Sequence, residues 1–153
     1  MTDARSAIPV FGWRERVALP RLGIGRIRAK LDTGARSSAL HVDSIQPFAR
    51  DGIQWLRFEV LTARRARRPF VCEAPALDRR RVCDSGGHVS ERWFIETDVT
   101  LGALTVAIEI SLTDRCGMLF PMLLGRTALA GRMLVDPARS YTLRHPTAAS
   151  PRP

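Results

Sequence analysis

The sequence predicts an all-β domain with one short helix, and three observations carry that reading. Trp55-Leu56-Arg57-Phe58-Glu59-Val60-Leu61 and Leu104-Thr105-Val106-Ala107-Ile108-Glu109-Ile110-Ser111-Leu112 alternate with a period of two. That is the signature of strands with one face buried. Gly, Pro and Asp clusters punctuate these runs. Only 126–130, ahead of Gly131, reads as a helix.

The shorter elements follow in chain order. Strands are expected at 16–19, 24–31, 38–42, 70–74, 80–84, 89–97 and 133–136. The Trp55 and Phe70 strands form an expected hairpin within the long segment 46–76. Arg64-Arg65-Ala66-Arg67-Arg68 between them reads as a solvated loop, with a polyanion contact as the alternative. Asp84-Ser85-Gly86-Gly87 reads as a hairpin tip, because glycine supplies the positive φ of a tight turn. Residues 1–11 are expected to be flexible, 12–144 to form one domain, and 145–153, rich in Pro and poor in apolar groups, to be a disordered tail.

The 153 residues are 45% hydrophobic and 25% charged, which suits one domain with a real core. No apolar run reaches the ~18 residues of a membrane span, and the first residues lack a signal-peptide pattern. Cys72, Cys83 and Cys116 are odd in number and widely spaced, which argues against a disulfide framework and fits a reducing cytoplasm. Cys72 and Cys83, in strand-like runs, read as buried inert thiols. The formal charge is +9, and Lys30 is the single lysine among 24 basic residues. Such a surface attracts acidic peptides, and nucleic acid stays open as a partner.

Most catalytic signatures are missing. There is no His-Glu-x-x-His, no Cys-x-x-Cys and no Gly-x-Ser-x-Gly. A zinc site built from His41, His88 and Cys83 has no supporting spacing, so neither metal nor cofactor is expected. Lys30-Leu31-Asp32-Thr33-Gly34-Ala35 stands out instead. It puts a carboxylate at the end of an apolar strand, on a turn that the Thr33 hydroxyl can brace and Gly34 can tighten.

About ninety residues later, Met122-Leu123-Leu124-Gly125-Arg126 opens the short helix. With Asp-Thr-Gly-Ala, a Gly-rich hairpin and a final strand, this order resembles the retroviral-type aspartic proteases (retropepsins). Gly12-Trp13-Arg14-Glu15, Leu31 through His41, Asp84 through His88, Leu112-Thr113-Asp114-Arg115 and Met122 through Thr127 further resemble one bacterial family. That family goes by the name ATP-dependent zinc protease and is linked with the ligase that adds glutamates to a ribosomal protein. The sequence carries neither an ATP motif nor a zinc signature.

The resemblance implies a single-lobe retropepsin-like barrel with an inserted hairpin. It implies Asp32 as the catalytic carboxylate, on a turn made with Thr33 and Gly34. Ser85, Gly86 and Gly87 would tip a flap, and Leu123-Leu124-Gly125 would lie behind the catalytic turn. One such Asp is half a site, because this chemistry needs two carboxylates sharing a proton. A two-fold homodimer would supply the second; Asp84 and Asp114 are the intrachain alternatives.

Arg36 departs from the retropepsin pattern, which places an acidic residue after Asp-Thr-Gly-Ala to pair with the later Arg, here Arg126. Two arginines in place of a pair invite a carboxylate from the substrate, with a salt bridge to Asp43 or Glu59 as the alternative for Arg36. Arg79, Arg80, Arg81 and Arg115 join that field if the flap covers the cleft. Ser37 and His41 are candidate donors on the cleft wall, against readings as a turn hydroxyl and a strand histidine. For Arg126, a brace between helix and turn stands beside substrate contact. The expected activity is an aspartic peptidase acting on glutamate-rich peptides. A non-catalytic binder of acidic peptide or RNA and a metallopeptidase are the alternatives.

Overall fold

A computed structural model describes residues 7–62, 68–83, 86–114 and 119–143. Twelve strands are present among them: β1 Val10–Gly12, β2 Arg14–Leu19, β3 Ile24–Leu31, β4 Ser38–His41, β5 Asp43–Arg50, β6 Ile53–Val60, β7 Phe70–Pro75, β8 Asp78–Cys83, β9 Val89–Leu101, β10 Leu104–Thr113, β11 Met122–Leu124 and β12 Leu134–Asp136. The helix α1 spans Arg126–Leu129. The fold class is thus the all-β one that the alternation predicts.

The strands β10-β4-β11-β3-β2-β9 lie side by side in that order, and β9 also pairs with β10. The sheet therefore closes into a six-stranded barrel, which leaves few free edges. Alternation decides the inside: Val17, Ile27, Leu40, Ile95, Ile110, Met122 and Leu124 are all completely buried. Burying such side chains stabilises by about 1.5–3 kcal/mol each. The residues between them point outward, as a period of two requires.

Two expectations are corrected. The inserted hairpin is a three-stranded sheet, β5-β6-β7. Its first strand escapes a pattern reading because it contains Pro47 and begins at a register shift between Asp43 and Gln46. Residues 10 and 11, expected to be flexible, belong to β1, which pairs in parallel with β12. Phe11 is buried there; its partner strand lies too far along the chain for local pattern to reveal. Residues 1–6, 63–67 and 144–153 lie outside the described residues, and with them the expected tail and all of the arginine run except Arg68.

Glu15 of β2 is fully buried. Its carboxylate accepts the N–H of Gly12 at 2.7 Å and of Leu143 at 3.2 Å, and the Thr142 hydroxyl. A buried charge requires such donors. It ties residues 139–143 across β2, where the Trp13 N–H also bonds Arg139 O and the Tyr141 N–H bonds Arg14 O. Tyr141 has a left-handed φ of 52°, uncommon for a bulky residue. Glu15→Ala should cost about 2 kcal/mol, the net of charge-assisted bonds lost and donors left bare. Urea denaturation would detect it, and an unchanged midpoint would refute the role.

Burial pushes the Cys72 thiol up to about 11, so it stays protonated and inert near neutrality. Cys83, expected to be buried, is exposed at the end of β8. Cys116 lies outside the described residues.

Candidate active site

Asp32 follows β3 directly. Its N–H bonds Leu124 O at 2.8 Å, and its own carbonyl accepts the Ala35 N–H at 3.2 Å. The side chain folds back into the turn, where Oδ1 accepts the Gly34 N–H at 2.8 Å. A Cβ on residue 34 would sit 3.1 Å from that oxygen, so glycine keeps the carboxylate's seat open. Oδ2 faces Lys30 Nζ at 3.7 Å. Asp32 is held at a fixed angle yet remains partly exposed.

The turn is locked from behind by the segment before α1. Gly125 donates its N–H to Ser38 Oγ at 3.1 Å. The Arg126 and Thr127 N–H groups bond Ala35 O and Arg36 O at 2.8 and 3.0 Å. The Arg126 guanidinium bonds Thr33 O at 3.1 Å. At Gly125 the backbone is extended, so conformation does not demand glycine there. Space does: a Cβ would lie 2.6 Å from Ser37 O.

In front of Asp32 is an open cavity of about 1090 Å³. Its floor comes from the Asp32 turn, Ala39, Leu123 and Ser111, and its roof from the β8–β9 hairpin through Arg81, Val82 and Arg92. Asp32, Gly34, Arg36, Ser37, Arg81 and Arg126 share this cavity. Sequence reading missed Arg92 and Arg132 as lining residues, since they become neighbours only when β9 and α1 fold over β10.

Other candidates fall elsewhere. His41 is not among the described lining residues. It sits two residues beyond Ala39 on β4, and its N–H bonds Pro121 O. The Thr33 hydroxyl makes no hydrogen bond among the described residues; its carbonyl carries the brace instead. Gly86 and Gly87 lie in the β8–β9 connection, Gly87 with φ 83°, but not among the described residues of the wall. Ser85 and Arg115, with Asp84, lie outside the described residues. Asp114 is exposed and not among the described lining residues.

The charge is uneven. Hydrogen bonds that Arg80 donates to Glu109 and then to Asp78 raise its pKa further, and the two carboxylates neutralise that arginine at 2.9 and 2.7 Å. Arg79 pairs with Glu91. Arg36 and Arg81 form no ion pair among the described residues, so the alternative pairing of Arg36 with Asp43 or Glu59 is not what the structure has. Arg126 and Arg132 spend their bonds on neutral carbonyls and keep their charge. No three His, Cys, Asp or Glu side chains converge among the described residues in a way that would hold a metal ion.

Similarity to known proteins matches this geometry. A model of the RimB-like family, described as retropepsin-like aspartic endopeptidase RimB, matches residues 10–146. Among curated proteins, the chain is 38% identical over 135 residues to a probable alpha-L-glutamate ligase of Shewanella halifaxensis. It is 41% identical over the same length to one of Desulfotalea psychrophila. Each match covers 88% of this chain, which spans only about 30% of the length of these relatives. A crystal structure of a Legionella pneumophila protein of unknown function superposes with a TM-score of 0.75 at 30% identity, over 88% of this chain and 97% of that one.

Proposed function

We propose, from the premise that this chain belongs to the RimB-like family of retropepsin-like aspartic endopeptidases, that it hydrolyses peptide bonds in glutamate-rich chains. The observation that carries this reading is the Asp32 carboxylate. It is fixed by the Gly34 N–H and open to a cleft roofed by a hairpin.

The second carboxylate is Asp32 of an identical chain. Two carboxylates about 3 Å apart share one proton, because both cannot ionise. The ionised one takes a proton from the water between them. The water oxygen attacks the scissile carbonyl carbon, and the protonated partner gives its proton to the carbonyl oxygen. Collapse of the tetrahedral intermediate then sends a proton to the leaving amine and restores the shared proton.

Two observations support an acidic substrate. Arg36, Arg81, Arg126 and Arg132 line the cleft without a carboxylate partner among the described residues. The curated relatives, named for glutamate ligation, contain a region like this chain. A peptidase domain there would meet a freshly built glutamate chain.

The test is mass spectrometry of a peptide ending in several glutamates, beside a neutral control. Wild-type protein should shorten the first and spare the second. Cleavage of both alike would refute the acidic preference, and cleavage of neither across pH ~4–8 would refute the peptidase reading.

A further inference from the structure

Outside the cleft, the barrel carries a second basic feature. On β2 and β3, Arg14 lies opposite Lys30 and Arg16 opposite Arg28. Directly opposed like charges destabilise a sheet. Yet no carboxylate pairs with Arg14, Arg16 or Arg28 among the described residues, and Lys30 reaches only Asp32.

The side chains are held rather than loose. Arg14 stacks between Trp13 and Tyr141, at 4.6 and 4.8 Å from their centroids. Arg16 stacks on Tyr141 at 4.1 Å and Arg28 on Phe120 at 5.7 Å. Tyr141 takes its left-handed φ at this point. Arg14 Nε is buried without a hydrogen-bond partner among the described residues. Two rungs of like charge, kept in place by rings and by an uncommon backbone conformation, are an arrangement that wants an anion.

Its position connects it to the cleft. Lys30 pairs with Leu123, and Leu123 with Ala39, so the three share one face of the sheet. Leu123 and Ala39 form the cleft floor. The cation rungs therefore start at Asp32 and continue along the same outer face.

We infer that Arg14, Arg16, Arg28 and Lys30 form a binding track for the carboxylates of an acidic chain, outside the cleft and leading to Asp32. The inference rests on the acidic substrate proposed above and extends it to residues that never touch the scissile bond. Successive rungs are two strand residues apart, about 6.6 Å. Alternate glutamates of an extended peptide have that same spacing, so a peptide lying along β2–β3 would meet a cation pair at every second side chain. An Arg fork takes each carboxylate through two parallel bonds. Nucleic acid fits less well: Trp13, Tyr141 and Phe120 are engaged by guanidiniums and are not presented for base stacking.

The test uses a fluorescent decaglutamate peptide and the full chain carrying Asp32→Asn, which removes turnover from the binding measurement. Adding Arg16→Gln and Arg28→Gln should raise Kd at least about ten-fold, equivalent to about 1.4 kcal/mol, and flatten its salt dependence. A separate background with Arg28→Glu places a carboxylate opposite Arg16. It should weaken binding as much while the melting temperature holds or rises, which excludes misfolding as the cause.

An unchanged Kd in either variant would overturn the track. So would failure of the Asp32→Asn chain to bind the peptide, or tighter binding of a uridine decamer to the same face. Should the peptide bind, and binding fall in both variants, while wild-type protein cleaves no glutamate peptide, the track stands and the peptidase reading falls.

Discussion

Asp32→Asn should lower peptide hydrolysis by at least about a thousand-fold, the scale of losing a reacting group. An amide can neither take the proton from water nor share one with a second carboxylate. The fold should survive, because the new side-chain carbonyl can still accept the Gly34 N–H that Oδ1 accepts now. Mixing adds a sharper measurement. If two chains build one site, a ten-fold excess of Asp32→Asn chains leaves a wild-type chain a wild-type partner about one time in eleven. Activity per wild-type chain should fall to roughly a tenth. Activity unmoved by the mixing would refute a shared site, and activity surviving in the Asp32→Asn protein alone would refute the mechanism.

Gly125→Ala should cost about 4 kcal/mol or more, at the upper end of single substitutions. The added methyl would meet Ser37 O at 2.6 Å and Arg36 O at 2.8 Å, backbone atoms that cannot swing aside. Relief would break the bonds that the N–H groups of Gly125, Arg126 and Thr127 make to Ser38 and to the turn after Asp32. Thermal unfolding checks the stability. A normal melting temperature would show that the close approach is not needed; activity loss without melting loss would place the whole effect on the turn.

Many of the strands were legible because a period of two is local. The Trp55 and Leu104 runs fall in β6 and β10, and the 24–31 run is β3. Closure of the barrel came only through the retropepsin resemblance and not through the strand pattern, since it depends on β11 meeting β3 and β4, and on β9 meeting both β2 and β10. Residues of the site split the same way. Asp32 announces itself through its own neighbours, Thr33 and Gly34. Lys30, two residues earlier, carries no such local signal; the fold brings its ammonium to the Asp32 carboxylate. His41 shows the converse: near Asp32 in sequence, it is not among the described residues of the cavity wall. The opposition of the arginines of β2 and β3 was not legible, because it is a matter of register across a hairpin that composition does not carry.

The bond from the Asp32 N–H to Leu124 O has a consequence for synthesis. On the ribosome, the aspartate is made early and the strand that holds it comes more than ninety residues later. At about 5–20 residues per second, that gap is roughly 5–20 s. During that time the nascent chain has its aspartate but not the β11 strand against which the turn is set. The turn around Asp32 therefore takes its final geometry only after β11 has been made, and the proposed activity, which depends on that geometry, can arise only then.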